Sequence, residues 1–135
     1  MLRIIPGEYR RFSKLERKLY KPFTLVVTEE YHYYYRGRVI IVPIGFMSDG
    51  ASWAPDQGFA WLFHDYLYAT HCYENKDPCT FDEANKVMSR ICKYEGNKTL
   101  RALLWIGLKC DIFGKFHRSW INSFIRGPRF LPCLD

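Results

Sequence analysis

The apolar positions change rhythm partway along the chain. Phe23, Thr24, Leu25, Val26, Val27 and Thr28, and later Val39, Ile40, Ile41 and Val42, are aromatic and β-branched types that fit a pleated surface. Residues 23–42 therefore predict strands. Tyr31 to Tyr35 lies between these runs, and Arg36-Gly37-Arg38 supplies the glycine of a tight turn, so 31–35 and 38–42 are expected to pair as a hairpin. Pro43 ends regular pairing, having no N–H to donate. The stretch from Gly45 to Pro55 has turn composition but carries large apolar residues, which predicts a packed loop.

Beyond the loop the spacing becomes helical. Phe59, Phe63, Tyr66 or Leu67, and Thr70 recur as a buried face over a helix from about Gln57 to Tyr73, with Trp61, His64, Tyr68 and His71 on the neighbouring face. Thr80-Phe81-Asp82-Glu83 reads as a capping box: Thr80 accepts from the backbone three residues on, and Glu83 reaches back. The helix it opens has the stripe Phe81, Ala84, Val87 or Met88, and Ile91, and Gly96 suits the left-handed residue after its end. A third helix, 99–113, is apolar nearly all round and is read as central or as a contact for another chain. Gly114 stops it, a short helix through Trp120 to Ile125 follows, and Gly127-Pro128 opens an irregular tail. Residues 9–21 are ambiguous, since Ser13 to Glu16 suits a capped helical turn and extended structure is the other reading.

The expected fold is α+β: a small antiparallel sheet in the N-terminal half packed with a three-helix C-terminal half. At 135 residues, 48% of them hydrophobic, the chain has material for one core. That domain divides into a basic segment (1–22), strands and loop (23–56), helices (57–126) and tail (127–135).

Charge and cysteine content narrow the setting. The net charge of +6 is concentrated at the ends. Arg3, Arg10, Arg11, Lys14, Arg17, Lys18 and Lys21 face only Glu8 and Glu16, and Lys115, Arg118, Arg126 and Arg129 have no acid among them. Such ends suit a solvated face, or contact with nucleic acid, a membrane surface or an acidic partner. No apolar run approaches the length of a membrane span. Five cysteines without a C-x-x-C, and with no secretory leader before them, read as thiols made in a reducing compartment.

The sharpest chemical feature is His64-Asp65 followed by Tyr68. His64 and Tyr68 lie one helical turn apart, and Asp65 points about a quarter-turn away. Imidazole accepts a proton near neutral pH, and a carboxylate holds a hard cation. The segment resembles the His-Asp-x-x-Tyr helix of phospholipase A2 enzymes. The resemblance implies His64 as general base, Asp65 as a calcium ligand, and a carboxylate of the next helix, Asp82, orienting the imidazole. Zinc, through His71-Cys72 with Cys79 or His64 with His71, is the second metal candidate, without standard ligand spacing. Asp49 and Ser52, in the loop just before the helix, either fix that loop or face His64; His71 is a further binding candidate. The plain alternative for His64 is a buried structural histidine.

Taken in order, Val42-Pro43-Ile44-Gly45-Phe46-Met47-Ser48-Asp49-Gly50-Ala51-Ser52, then His64-Asp65-Tyr66-Leu67-Tyr68, then Glu83-Ala84-Asn85 resemble a domain of unknown function found in tailed phages and prophages. That family often has Ala-Asp where this chain has Ala84-Asn85. The resemblance implies a phage protein made in the host cytoplasm. Two functions are expected from it. One is a virion-associated tail or head-tail component that contacts other phage virion proteins. The alternative is a small His/Asp-dependent hydrolase, lipid- or cell-wall-acting, used in entry or lysis.

Overall fold

A bent two-stranded ribbon organises the N-terminal half. The structure, a computed structural model, describes residues 1–49, 59–96 and 114–132. Strands β1 (Arg3–Ile5) and β2 (Glu8–Arg11) run antiparallel to β4 (Tyr31–Tyr35) and β3 (Leu25–Glu29) respectively. The two ladders meet where Gly7 crosses Glu29 and Glu30, whose backbone carbonyls occupy the space a Cβ on residue 7 would need. Only glycine permits so close a crossing. Beyond the bend each ladder gains a third strand. β5 (Arg38–Val42) joins β4, and β6 (Met47–Ser48) joins β3, giving two three-stranded antiparallel sheets.

The β4–β5 hairpin is the one expected, with Tyr35 opposite Arg38 and both Arg36 and Gly37 at positive φ. That turn matches the twist of the flanking strands. Along β4, Tyr31 and Tyr33 enter the core while His32 and Tyr34 face outward and stack on each other. Strand β3 is buried on both faces: Leu25 and Val27 join the main core, and Val26 joins Phe12, Phe23 and Met47 in a second cluster. The expected basic segment 1–22 thus contributes β1, β2 and a helix, α1 (Lys14–Leu19). Ser13 and Glu16 form a reciprocal capping box on α1, so the helical reading holds for residues 14–19 and the extended one for 8–11.

Helix α2 (Ala60–Thr70) is central. Ala60 to His64 and Leu67 to Ala69 are all buried, so it has no broad polar face, and Asp65 is its one acidic residue. Helix α3 (Phe81–Glu95) packs along it through Ala84, Val87, Met88 and Ile91, and Gly96 takes the expected left-handed cap. Thr80 accepts from the Glu83 backbone N–H, but the Glu83 carboxylate accepts from the Tyr73 hydroxyl at 2.7 Å instead of reaching back. At the other end of α3, the Glu95 carboxylate accepts from the N–H groups of Phe59 and Ala60 at 3.1 to 3.2 Å, capping the first turn of α2. A helix start leaves such donors unsatisfied.

The expected third helix, 99–113, lies outside the described residues. Helix α4 (Lys115–Arg126) extends beyond the short helix expected at 120–125 and packs on α2. His71, the left-handed cap of α2, stacks on the Trp120 ring with centroids 3.4 Å apart and on Phe124 at 4.2 Å, and its Nε2 donates to the Trp120 carbonyl at 3.0 Å. After α4 the chain returns to the second sheet: Met47 N–H donates to the Arg129 carbonyl, Phe130 bridges Phe46, and Leu131 N–H donates to the Gly45 carbonyl. The first part of the expected irregular tail is therefore an added edge on β6.

Candidate active site

Three elements enclose a cleft of about 270 Å³. Its floor is the end of β6 and the following residue, Ser48 and Asp49, with Asp65 from α2. Its wall is one side of α4, Ser119, Asn122, Ser123 and Arg126, and Arg129 stands at the rim. The volume falls just below the range of ligand clefts, about 300–1,000 Å³. It suits a small group or one end of a larger substrate.

Asp65 is the hub. Its Oδ2 accepts a short hydrogen bond from the Ser48 hydroxyl, and its Oδ1 lies 3.8 Å from His64 Nδ1. The Asp49 carboxyl lies in the same cleft, near enough to feel the Asp65 charge. Two negative charges so placed repel, which favours a proton on one of them. Burial of the Asp49 carboxyl, then the Asp65 charge, raises the Asp49 pKa from 3.8 to about 7, against a smaller lowering by Arg126. Asp49 as a residue is exposed, while its carboxyl end is crowded in the cleft. The desolvation acts on that end.

The expected site residues divide. Asp49 and Asp65 meet in the cleft, and the hydroxyl beside them is that of Ser48; Ser52 lies outside the described residues. His64 sits behind Asp65, 7% exposed, with its ring 3.9 Å from that of Tyr68. Its Nε2 is buried without a hydrogen-bond partner among the described residues. Asp82 is not the group beside the imidazole: it is exposed in the first turn of α3, and Asp65 takes that place. Tyr68 faces the interior, where its hydroxyl donates to Asn85 Oδ1 at 2.8 Å. His71 clamps α4 through its ring, and burial holds its pKa below the ordinary imidazole value.

Neither metal reading finds its ligand set. Among the described residues no group of three or more His, Cys, Asp or Glu side chains is placed to hold a metal ion. Asp65, the expected calcium ligand, is engaged by Ser48, and His71, a zinc candidate, by Trp120.

Sequence reasoning missed Ser48 and the α4 wall. The wall has a signal in the sequence: Ser119, Asn122, Ser123 and Arg126 recur at i, i+3, i+4 and i+7, a polar stripe on one helix side. Among the described residues, no helix is long and apolar enough to cross a membrane. No family model, curated protein or solved structure matches the chain.

Proposed function

We propose that this protein is a small hydrolase whose acid–base centre is the Asp49–Asp65 carboxyl pair. The placing of those two carboxyls together in one polar cleft carries the reading. Two carboxyl groups facing one cleft, one of them keeping its proton, suit activation of one water for attack on an acyl carbon, as in paired-aspartate proteases. Asp65, which accepts from Ser48, takes the proton of the attacking water while Asp49 donates its proton to the acyl oxygen; the tetrahedral intermediate then collapses, the acyl C–N or C–O bond breaks, Asp65 gives its proton to the departing amine or alcohol, and the hydroxyl proton returns to Asp49. Ser48 fixes the Asp65 carboxylate, and His64 supports it from behind.

Two of the three segments by which the chain resembles the phage family, 42–52 and 64–68, are the segments that supply these groups. An amide or ester in cell-wall or lipid material is the substrate class that fits this setting. The test is turnover of purified peptidoglycan, phospholipid vesicles and chromogenic amide and ester substrates by the wild type, Asp49→Asn and Asp65→Asn. Expected is a wild-type activity that both variants lose while folded. Equal rates for all three on every substrate would overturn the reading.

A second reading, a virion-associated structural or assembly component of a tailed phage, is favoured by a different observation. Ile121, Phe124 and Ile125 form one exposed apolar side of α4, the kind of surface that subunit contacts cover. Mass spectrometry of washed particles tests it: stoichiometric copies support it and absence defeats it.

A further inference from the structure

Two basic residues, Arg126 and Arg129, line the cleft beside the carboxyls of Asp49 and Asp65. Arg126 lies with its guanidinium 5.0 Å from the centroid of the Phe23 ring and makes no ion pair among the described residues. Stacking on a ring face orients the guanidinium plane and leaves its in-plane N–H donors unused. Arg129 is set by its backbone, whose carbonyl is bonded to Met47 N–H. Gly127, at φ 73°, turns the chain so that residues on both sides of it line the same cleft. Asn122 and Ser123 add uncharged hydrogen-bonding groups beside Arg126.

We infer that Arg126 and Arg129 form an oxyanion-holding subsite, so that the substrate carries a carboxylate or phosphate group close to the bond presented to the acid pair. The inference deepens the hydrolase reading and takes from it only the place of the scissile bond. A planar guanidinium whose donors meet no acceptor among the described residues matches the two oxygens of either group. Arg129 adds long-range attraction and Arg126 the directed contacts.

The test reads binding and requires no turnover. The full chain is titrated with inorganic phosphate and, separately, with acetate, at constant ionic strength against chloride, following the backbone amide signals of Asn122, Ser123 and Gly127, which line the cleft, by NMR. Saturable shifts of these signals with phosphate or acetate, with affinity weakened at least tenfold in Arg126→Gln and less in Arg129→Gln, are expected; the stronger arm identifies the group. Lys115→Gln, on the same helix but outside the cleft, serves as the control and should bind as the wild type does. Shifts no larger than in chloride, or shifts that persist in the Arg126→Gln/Arg129→Gln double variant, would overturn the subsite. Anion binding with no hydrolysis of any substrate would keep the subsite and sink the enzyme reading; hydrolysis without anion binding would do the reverse.

Discussion

Replacing Tyr68 with phenylalanine separates a catalytic tyrosine from a structural one. Tyr68 is 1% exposed and Asn85 6%, and the hydroxyl of the first donates to the side-chain oxygen of the second at 2.8 Å. Tyr68→Phe keeps the ring, and with it the contacts to His64 and Trp120, and removes one donor from a site where water does not replace it. The net loss of a neutral hydrogen bond is about 1 kcal/mol, and a buried acceptor left unsatisfied brings the cost to about 1–3 kcal/mol. For a chain of this size that corresponds to a Tm lower by roughly 4–12 °C.

The assay is thermal and guanidinium denaturation of Tyr68→Phe, Asn85→Leu and the double variant. Each single variant strands one polar partner, whereas the double variant removes both. The two single losses should therefore add to more than the double loss, by about 1–2 kcal/mol. Activity per folded molecule should be unchanged in Tyr68→Phe. Additive losses, or an unchanged Tm, would refute the buried pair, and lost activity in a stable Tyr68→Phe would return the hydroxyl to the reaction.

Three further outcomes are expected. Gly7→Ala should lower Tm far more than Gly37→Ala, since a Cβ at residue 7 collides with the Glu29 and Glu30 carbonyls while one at residue 37 meets no atom and suffers only its positive φ; equal melting temperatures would disprove the crossing. Asp49 holds its proton more tightly when folded, so the wild type should lose stability relative to Asp49→Asn as pH rises from about 4 toward 7, measured as denaturation midpoints across that range. His71 has the opposite sign: its lowered pKa means that stability is lost as pH falls below the ordinary imidazole value, and His71→Asn, which tolerates the left-handed backbone, should remove that acid sensitivity.

The hairpin and the ends of α3 were legible because single residues decide them: Gly37 in the turn, Thr80 at the start, Gly96 at the stop. The pairing of β1 and β2 was not, because short basic segments show little apolar alternation and their partners lie beyond an intervening helix, from Leu25 opposite Arg11 to Tyr34 opposite Arg3. The same limit applies to Glu95, which caps a helix that begins 35 residues earlier in the chain. Within the site, Asp49 and Asp65 were readable from their types and order. Ser48 was passed over for Ser52, although strand pairing with Leu25 fixes residue 48 at the end of β6, where its hydroxyl meets α2. Asp82 was chosen by charge where position mattered: the first turn of α3 leaves it in solvent, while Asn85, three residues on, reaches the interior.

What favours chemistry over architecture at Asp65 is the cost of its surroundings. Helix α2 is buried along most of its length, and an apolar residue at position 65 would complete that burial without placing a charge beside a second carboxyl. Buried ionisable networks do occur as structural devices, so a raised pKa alone does not decide the matter. Stability and activity read together do. A pair kept only for the fold would leave activity per folded molecule unchanged when Asp49 is neutralised. A pair kept for chemistry carries a like-charge and desolvation penalty that neutralisation relieves, so the Asp49→Asn protein should be the more stable one at pH 7 and the less active one.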